Sequence, residues 1–405
     1  MKKIYIFFLL IIIISCSTED ATSPNDKLLI KGAYIIDTLY AIQDTFIAAP
    51  PQRTSYSSKL SVGKYQGFPA NFLLRFVFLP PDTIQLDSAR IELSGASHYG
   101  DGSVSSVMVE AYKVLDTWDR DANMDDYWRT YTPNGDLVYS GEFTLSDSLN
   151  DSIKYIIPLD NDLIKEWQQT EDSLQTGLYF TLASGSPEAV AEIASFNTYV
   201  AADAPKLIFK KETDSTAVWD TLIIGDDVTI FPPEEGGVFQ NTQNVYIAGG
   251  NPVHSFIKFD LSVLPENILI YNAELHADLD SSSTLVNRQF KSDFYLRVVK
   301  EADDNLTTFT IDSGFVYDIR QNISMIKEDN RLQLGDYDKS NFGQYILQKI
   351  INGELEYKWF FLQYKIENQS LSVERILGVK NPPHKEMLIV KYVRIDGFGC
   401  DEGAQ

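Results

Sequence analysis

The feature that most restricts how this chain can fold is an internal repeat. Asp37-Thr38-Leu39 recurs as Asp220-Thr221-Leu222, an offset of 183 (220 − 37). At the same offset Asp44 matches Asp227, and Leu74-Arg75-Phe76 matches Ile257-Lys258-Phe259. Pro50-Pro51 and Pro232-Pro233 agree within one residue. Leu79-Pro80 with Leu264-Pro265, and Ala89-Arg90-Ile91 with Ala273-Glu274-Leu275, agree within two. Near the end of each unit, Lys206-Leu207-Ile208-Phe209-Lys210 answers Glu386-Met387-Leu388-Ile389-Val390-Lys391. Chance would scramble the order, and here the order is kept throughout. The chain therefore reads as two copies of one domain, 31–213 and 214–395. Each copy, of about 180 residues, is long enough to bury about 70% of its unfolded surface.

The copies read as strands. Ala89, Ile91 and Leu93 alternate with Arg90 and Glu92, and Ala273, Leu275, Ala277 and Leu279 alternate with Glu274, His276 and Asp278. A period of two marks a strand with one wet face. Leu74, Phe76 and Phe78 share a face of another strand, as do Ile257, Phe259 and Leu261. Further runs rich in aromatic and β-branched residues are 107–114, 177–182, 193–196, 207–210, 294–299, 359–364 and 387–393. Turn signals separate them, among them Gly100-Asp101-Gly102, Pro133-Asn134-Gly135 and Gly249-Gly250-Asn251-Pro252. Many short strands with frequent turns point to an all-β sandwich or jelly roll. One short helix interrupts each copy. Leu163, Ile164 and Trp167 fall at helical spacing behind Asp160 or Asn161. Phe342, Tyr345, Ile346, Lys349 and Ile350 do so behind Ser340 or Asn341, closing near Gly353.

Composition narrows the function. The formal charge is −23, so the surface lacks the clustered Lys and Arg that nucleic acid requires, and no nucleic-acid partner is expected. Four His and two Cys leave little material for a zinc site or a disulfide framework. There is no Gly-x-Ser-x-Gly elbow, Walker loop or His-Glu-x-x-His, and a repeat patterned as strands supplies no deep cleft for a glycosidase pair. The chain is expected not to be an enzyme and to carry no resident cofactor.

The amino terminus points to export. Met1-Lys2-Lys3 precedes an apolar run from Ile4 to Ile14, eleven residues long. That is too short to span a bilayer, which takes about 20 residues, and it suits a secretion signal over residues 1–15. The run ends in Ile13-Ile14-Ser15-Cys16, which resembles a bacterial lipobox. The resemblance implies that Cys16 is acylated and tethers the chain to a membrane. Residues 16–30 then form the lipidated end and a flexible stalk. Ser17-Thr18-Glu19-Asp20 resembles the signal that sends Bacteroidetes-type lipoproteins to the outward face of the outer membrane, although a solvated tether explains the same residues. Cys400 lies in the tail 396–405 and is left without a partner in the chain.

An ordered set of pieces in copy one resembles the DNRLRE family of carbohydrate-binding-like modules. It comprises Asp44-Thr45, a Leu-x-Val-Gly strand at Leu60–Gly63, Leu73–Phe76, and Leu86–Leu93. It continues with Val109–Val114 leading to Trp118, then Trp167, Gly177–Phe180, Ser195-Phe196 and Pro205–Leu207. The resemblance implies two tandem jelly-roll β-sandwiches, secreted or surface-attached, with polysaccharide as a ligand class. Copy two lacks the Trp after the central strand, and its closing Pro-Lys-Leu has become Glu386-Met387-Leu388.

Three clusters carry candidate chemistry, each with a plainer alternative. Trp118, Tyr127, Trp128 and Tyr131 crowd one segment, either to stack on sugar rings or to staple a long loop to the core. Asp119, Asp121, Asn123 and Asp125 have the alternating oxygen spacing of a calcium loop, but Met124 and Thr130 stand where such a loop wants Gly and Glu; the alternative is a solvated acidic loop. Arg75 and Lys258 occupy matching strand positions, suited to an acidic polysaccharide or to pairing with carboxylates on neighbouring strands. The expected function is a non-catalytic outer-membrane lipoprotein that binds polysaccharide at the cell surface. The alternative is a structural or adhesive protein that contacts other surface proteins.

Overall fold

The computed structural model describes residues 34–395 apart from 101–102, 146–152, 213–216, 238, 240–242, 281–292, 304–305, 307, 321–330, 336–341, 365–370, 372 and 382–385. Residues 1–33, which include the expected signal segment, Cys16 and the expected tether, and the tail 396–405 with Cys400 lie outside the described residues.

The chain is all-β. Its strands gather into two large antiparallel sheets, each curled back on itself as a sandwich-like body. In chain order, β1 (Ile35–Ala48) is followed by β2 (Lys59–Tyr65), β3 (Phe68–Phe76), β4 (Leu86–Tyr99), β5 (Ser106–Lys113) and β6 (Leu137–Thr144). Then come β7 (Lys154–Leu159), β8 (Leu178–Leu182), β9 (Val190–Ala194), β10 (Lys206–Glu212), β11 (Ala217–Leu222) and β12 (Gly225–Ile230). The later strands are β13 (Asn244–Ala248), β14 (Val253–Phe259), β15 (Ile268–Asp278), β16 (Asp293–Ala302) and β17 (Phe309–Arg320). The last are β18 (Arg331–Gly335), β19 (Trp359–Tyr364), β20 (Val373–Leu377) and β21 (Met387–Arg394).

The first body contains β2 to β12, in the order β11-β10-β4-β9-β2-β3-β8-β5-β6, with β12 on β3 and β7 on β4. Central strands are covered on both faces, so β3 reads as a nearly continuous apolar run and is buried along almost its whole length. Strands with one wet face alternate instead: Tyr155, Ile157 and Leu159 of β7 point inward while Lys154, Ile156 and Pro158 do not. The core holds Phe72 stacked on Phe180 at 4.3 Å and Phe143 stacked on Tyr155 at 4.0 Å. Each such ring contributes about 1.5–3 kcal/mol by leaving water.

The second body runs β17-β16-β19-β14-β1-β21-β15-β18, with β13 on β14 and β20 on β13. It contains β1, the first strand of the first repeat. The two repeats have exchanged their first strands. β1 pairs with β21 through Ile35–Tyr40 and with β14 through Ala41–Ala48. Its sequence twin, at the offset of 183, is β11 plus β12, and these pair with β10 and β3 of the first body. The registers coincide. Asp44 lies opposite Ile257 and Asp227 opposite Leu74; Asp37 lies opposite Val390 and Asp220 opposite Phe209. The sheets therefore do not divide at 213/214, where the sequence repeat does. The physical reason is that a duplicated strand fits either of two duplicated slots, because period-two patterning and register are the same in both.

β1 turns the corner between its two partners at a bulge, with a register shift between Ala41 and Gln43. Its twin breaks at the same place into two strands around Ile223 and Ile224. Strands that switch sheets commonly do so at bulges or bends.

Helices are short. α1 (Asp126–Arg129) belongs to the loop described below. α2 (Asn161–Gln169) is the helix read from the sequence: Asp160 caps it by accepting from Asp162 N–H at 2.8 Å, and Leu163, Ile164 and Trp167 are buried. The second copy's helix begins as a π-helical turn over Phe342–Leu347 and continues as α3 (Gln348–Ile351). Gln348 accepts from Ile270 N–H and donates to the Ile268 carbonyl, which ties α3 to β15.

The two bodies share a third core. Phe68, Tyr99 and Val190 of the first pack with Phe231, Tyr246, Leu371 and Val373, all buried. Phe46 of β1 meets Tyr246 edge-on at 5.0 Å. With strands crossing and this core continuous, the bodies are joined by more than their connecting segment.

Candidate functional site

The segment that holds most of the sequence-derived site residues lies on the first body, between β5 and β6. It contains a 3-10 turn, Ala122–Met124, and then α1, capped by Asp125, whose carboxylate accepts from Tyr127 N–H at 2.9 Å.

Trp118 and Trp128 do not face solvent; they are 5% and 4% exposed. They pack with Leu73, Tyr179, Val228 and Ile230, and thus lie across β12, the strand contributed by the second repeat. The Trp118 indole N–H donates to the Thr176 carbonyl at 2.6 Å, satisfying its one donor. The rings staple the loop, the plainer of the two sequence readings. Tyr131 fills the gap between Trp128 and Tyr179, at centroid distances of 4.8 and 5.1 Å. Tyr127 is the exception: it is 49% exposed. Its hydroxyl donates to Asp116 at 2.7 Å, and that hydrogen bond pushes its pKa up to about 12.

Arg75 is fully engaged. Nε and Nη2 donate to Asp226 Oδ2 at 3.2 and 2.9 Å, and Nη1 donates to the carbonyls of Trp118 and Gln175. Its guanidinium also lies 4.5 Å from the Trp118 ring centre. Burial works against the Asp226 charge, but Arg75 and Arg120 together hold its carboxyl below the usual range. Lys258 holds the matching position in the second body, opposite Gln43 rather than an acid, with its ammonium 5.6 Å from the Trp359 ring. The two cations lie in different bodies and do not form one basic face.

The four candidate calcium ligands turn to separate partners. Asp119 accepts from Asp121 N–H at 2.8 Å, and Asp121 accepts from Arg53 at 2.6 Å. Asn123 is buried, accepting from Thr54 N–H and donating to the Gln52 carbonyl at 2.6 Å. Asp125 caps α1. Among the described residues no group of three or more His, Cys, Asp or Glu converges as a metal site. What remains open is a depression of about 480 Å³ bounded by Trp118, Asp119, Asp121, Met124, Asp125 and Trp128.

The sequence reading passed over one pair of groups. Asp44 and Asp227 served only as landmarks of the repeat, yet they do the same structural work. Asp227 accepts from Phe196 N–H at 2.7 Å, and Asp44 accepts from Val379 N–H at 2.6 Å; Phe196 and Val379 are again 183 apart (379 − 196). Burial raises the Asp227 pKa to about 7. In the second body Gly378 makes room, because a Cβ there would sit 1.9 Å from Asp44 Oδ2. Glu386 lies beside Asp44, wholly buried, and burial followed by the Asp44 charge raises its pKa to about 8. The signal that would have exposed this pair was an acid recurring at the repeat offset inside an apolar strand.

In comparisons with known proteins, no family model matches the chain and no curated protein matches it. The resemblance to DNRLRE modules rests on the residues quoted above.

Proposed function

We propose that the chain is a non-catalytic lipoprotein, tethered through Cys16 to the outer membrane and facing outward, that displays its two joined β-bodies as a structural or adhesive element among other surface proteins. The observation that carries this reading is the commitment of the candidate binding side chains to the fold. Trp118 and Trp128 clamp β12, and Arg75 is spent on Asp226 and two carbonyls. The strand exchange and shared core join the bodies into a unit suited to bearing load rather than to closing on a ligand.

Polysaccharide binding is the second reading, and one observation favours it. The depression beside α1 is lined by Asp119, Asp121 and Asp125, acceptors of the kind sugar hydroxyls use, and α1 also carries the exposed ring of Tyr127. A glycan array probed with residues 17–405, with and without calcium, separates the two. No binding supports the structural reading, and binding lost in Tyr127→Ala replaces it with the second. For the tether, labelled palmitate should enter the protein in cells and fail to enter Cys16→Ser.

A further inference from the structure

We propose that the partner of this chain is a second copy of itself, joined by reciprocal exchange of β1: the first strand of one chain fills the slot between β14 and β21 of the other.

The two slots are filled in different ways. In the first body the slot strand arrives locally, since β11 follows β10 as its hairpin neighbour and β12 follows β11. In the second body the slot strand comes from the opposite end of the chain. Residues 49–243 separate β1 from β13, and no local connection ties β1 to the slot that it occupies. A slot in a second copy offers β1 the same register, the same Val379 N–H for Asp44 and the same Tyr246 edge for Phe46. Domain swapping is inexpensive where contacts are reproduced between copies.

The shared core can travel with the strand. If the first body of one copy docks with its β1 on the second body of another, the contacts of Phe68, Tyr99 and Val190 are remade unchanged. Only the connection between β12 and β13 must be redirected. That connection holds Gly236 and Gly237, both at positive φ, and nothing lies within 4 Å of where a Cβ on Gly236 would stand. Before these glycines the segment is fixed to the first body, where Glu235 donates from its N–H to the Gly67 carbonyl and accepts from Lys64 at 2.7 Å. The hinge therefore falls at Gly236-Gly237. Release of β1 is the step that must be crossed, and β1 is held less firmly than its twin. Val228 and Ile230 are buried under the Trp clamp and Thr229 is buried between them, whereas the matching Thr45, Phe46 and Ile47 are only half-buried.

Because the contacts are the same in both forms, concentration decides between them. A short connection gives the chain's own slot an effective concentration in the millimolar range. The single chain therefore dominates in dilute solution, and copies crowded together exchange.

The test uses the full chain with Cys16 and Cys400 changed to Ser. One preparation carries Gln43→Cys and another carries Lys258→Cys, positions that face each other between β1 and β14. The two are mixed, warmed to permit exchange, cooled and oxidised. A disulfide-linked dimer that needs both preparations, with a dimer-to-monomer ratio rising about tenfold per tenfold increase in concentration, is the expected result. The control chain carries both substitutions and should close on itself in dilute solution. Closure of the control with no linked dimer from the mixture at any concentration would overturn the proposal. Failure of the control to close would also overturn it, by removing β1 from its slot.

Discussion

β1 and its twin β11–β12 occupy equivalent slots in two bodies, in the same register, each presenting one Asp to the equivalent backbone N–H, Val379 for Asp44 and Phe196 for Asp227. They differ in what lies over them. β12 is sealed beneath Trp118 and Trp128 and braced by the Arg75–Asp226 pair. β1 has Gln43 where its twin has Asp226, and the second repeat has no Trp after its central strand. The outward side chains Ile36, Tyr40 and Ile42 of β1 are 62%, 55% and 56% exposed. The difference separates two properties that are often merged. Register comes from the strand and its slot, while how tightly the strand is held comes from a loop that only one copy has.

Four perturbations would break or sharpen that contrast. The largest effect should follow removal of residues 34–48. Without its central strand the second body should lose its cooperative melt altogether, a loss comparable to the whole stability of a domain, about 5–15 kcal/mol. The first body should keep its own transition by calorimetry, since none of β2–β12 pairs with β1.

Next comes the clamp. Trp128→Ala should destabilise the first body by about 3–5 kcal/mol in urea unfolding, as expected for emptying a buried indole site. Ile47→Ala, in half-buried β1, should cost the second body only about 1–2 kcal/mol. Equal costs would mean that the two strands are held alike.

The matched cations should diverge in the same direction. Arg75→Met leaves Asp226 largely buried with only the exposed Arg120 as a charged partner, and should cost about 3 kcal/mol. Lys258→Met removes a cation with no acid opposite, and should cost less than about 1 kcal/mol.

A separate contrast comes with pH. Asp227 and Glu386 have folded pKa values raised to about 7 and about 8, above their unfolded values near 4. The folded chain therefore binds more protons than the unfolded chain between about pH 4 and 8, and stability must fall as pH rises through that window. Stability should decline from pH 5 to 9 by on the order of 1–3 kcal/mol for each body, read as a falling melting temperature. Asp227→Asn should flatten the decline of the first body. Glu386→Gln should flatten that of the second, whose decline extends to higher pH because Glu386 sits against Asp44.

Much of this was legible in the residues. The strands over 359–364 and 387–393 appear within a residue of where alternation and β-branched content place them, and α2 begins behind its Asp160 cap. The aromatic segment was legible only as a choice. Trp118 and Trp128 have the composition of a sugar platform and of a loop staple alike, and burial, which composition does not encode, decides for the staple. The strand exchange was not legible at all. A repeat says which elements are equivalent, not which copy each one pairs with, because Asp44 fits opposite Ile257 on the same terms as Asp227 opposite Leu74. The second helix was placed correctly, but its π-helical opening depends on packing against β15 that no spacing reveals.

The exchange itself can be tested most directly with a pair of disulfide traps in one chain, with Cys16 and Cys400 changed to Ser. Ile36 faces Lys391 across the exchanged pairing; were β1 to stay in its own repeat, Ile36 would instead face Lys210, as its twin Trp219 does. Ile36→Cys with Lys391→Cys should close rapidly and completely, and Ile36→Cys with Lys210→Cys should not close. Closure of the second trap and not the first would return β1 to its own repeat and contradict the account.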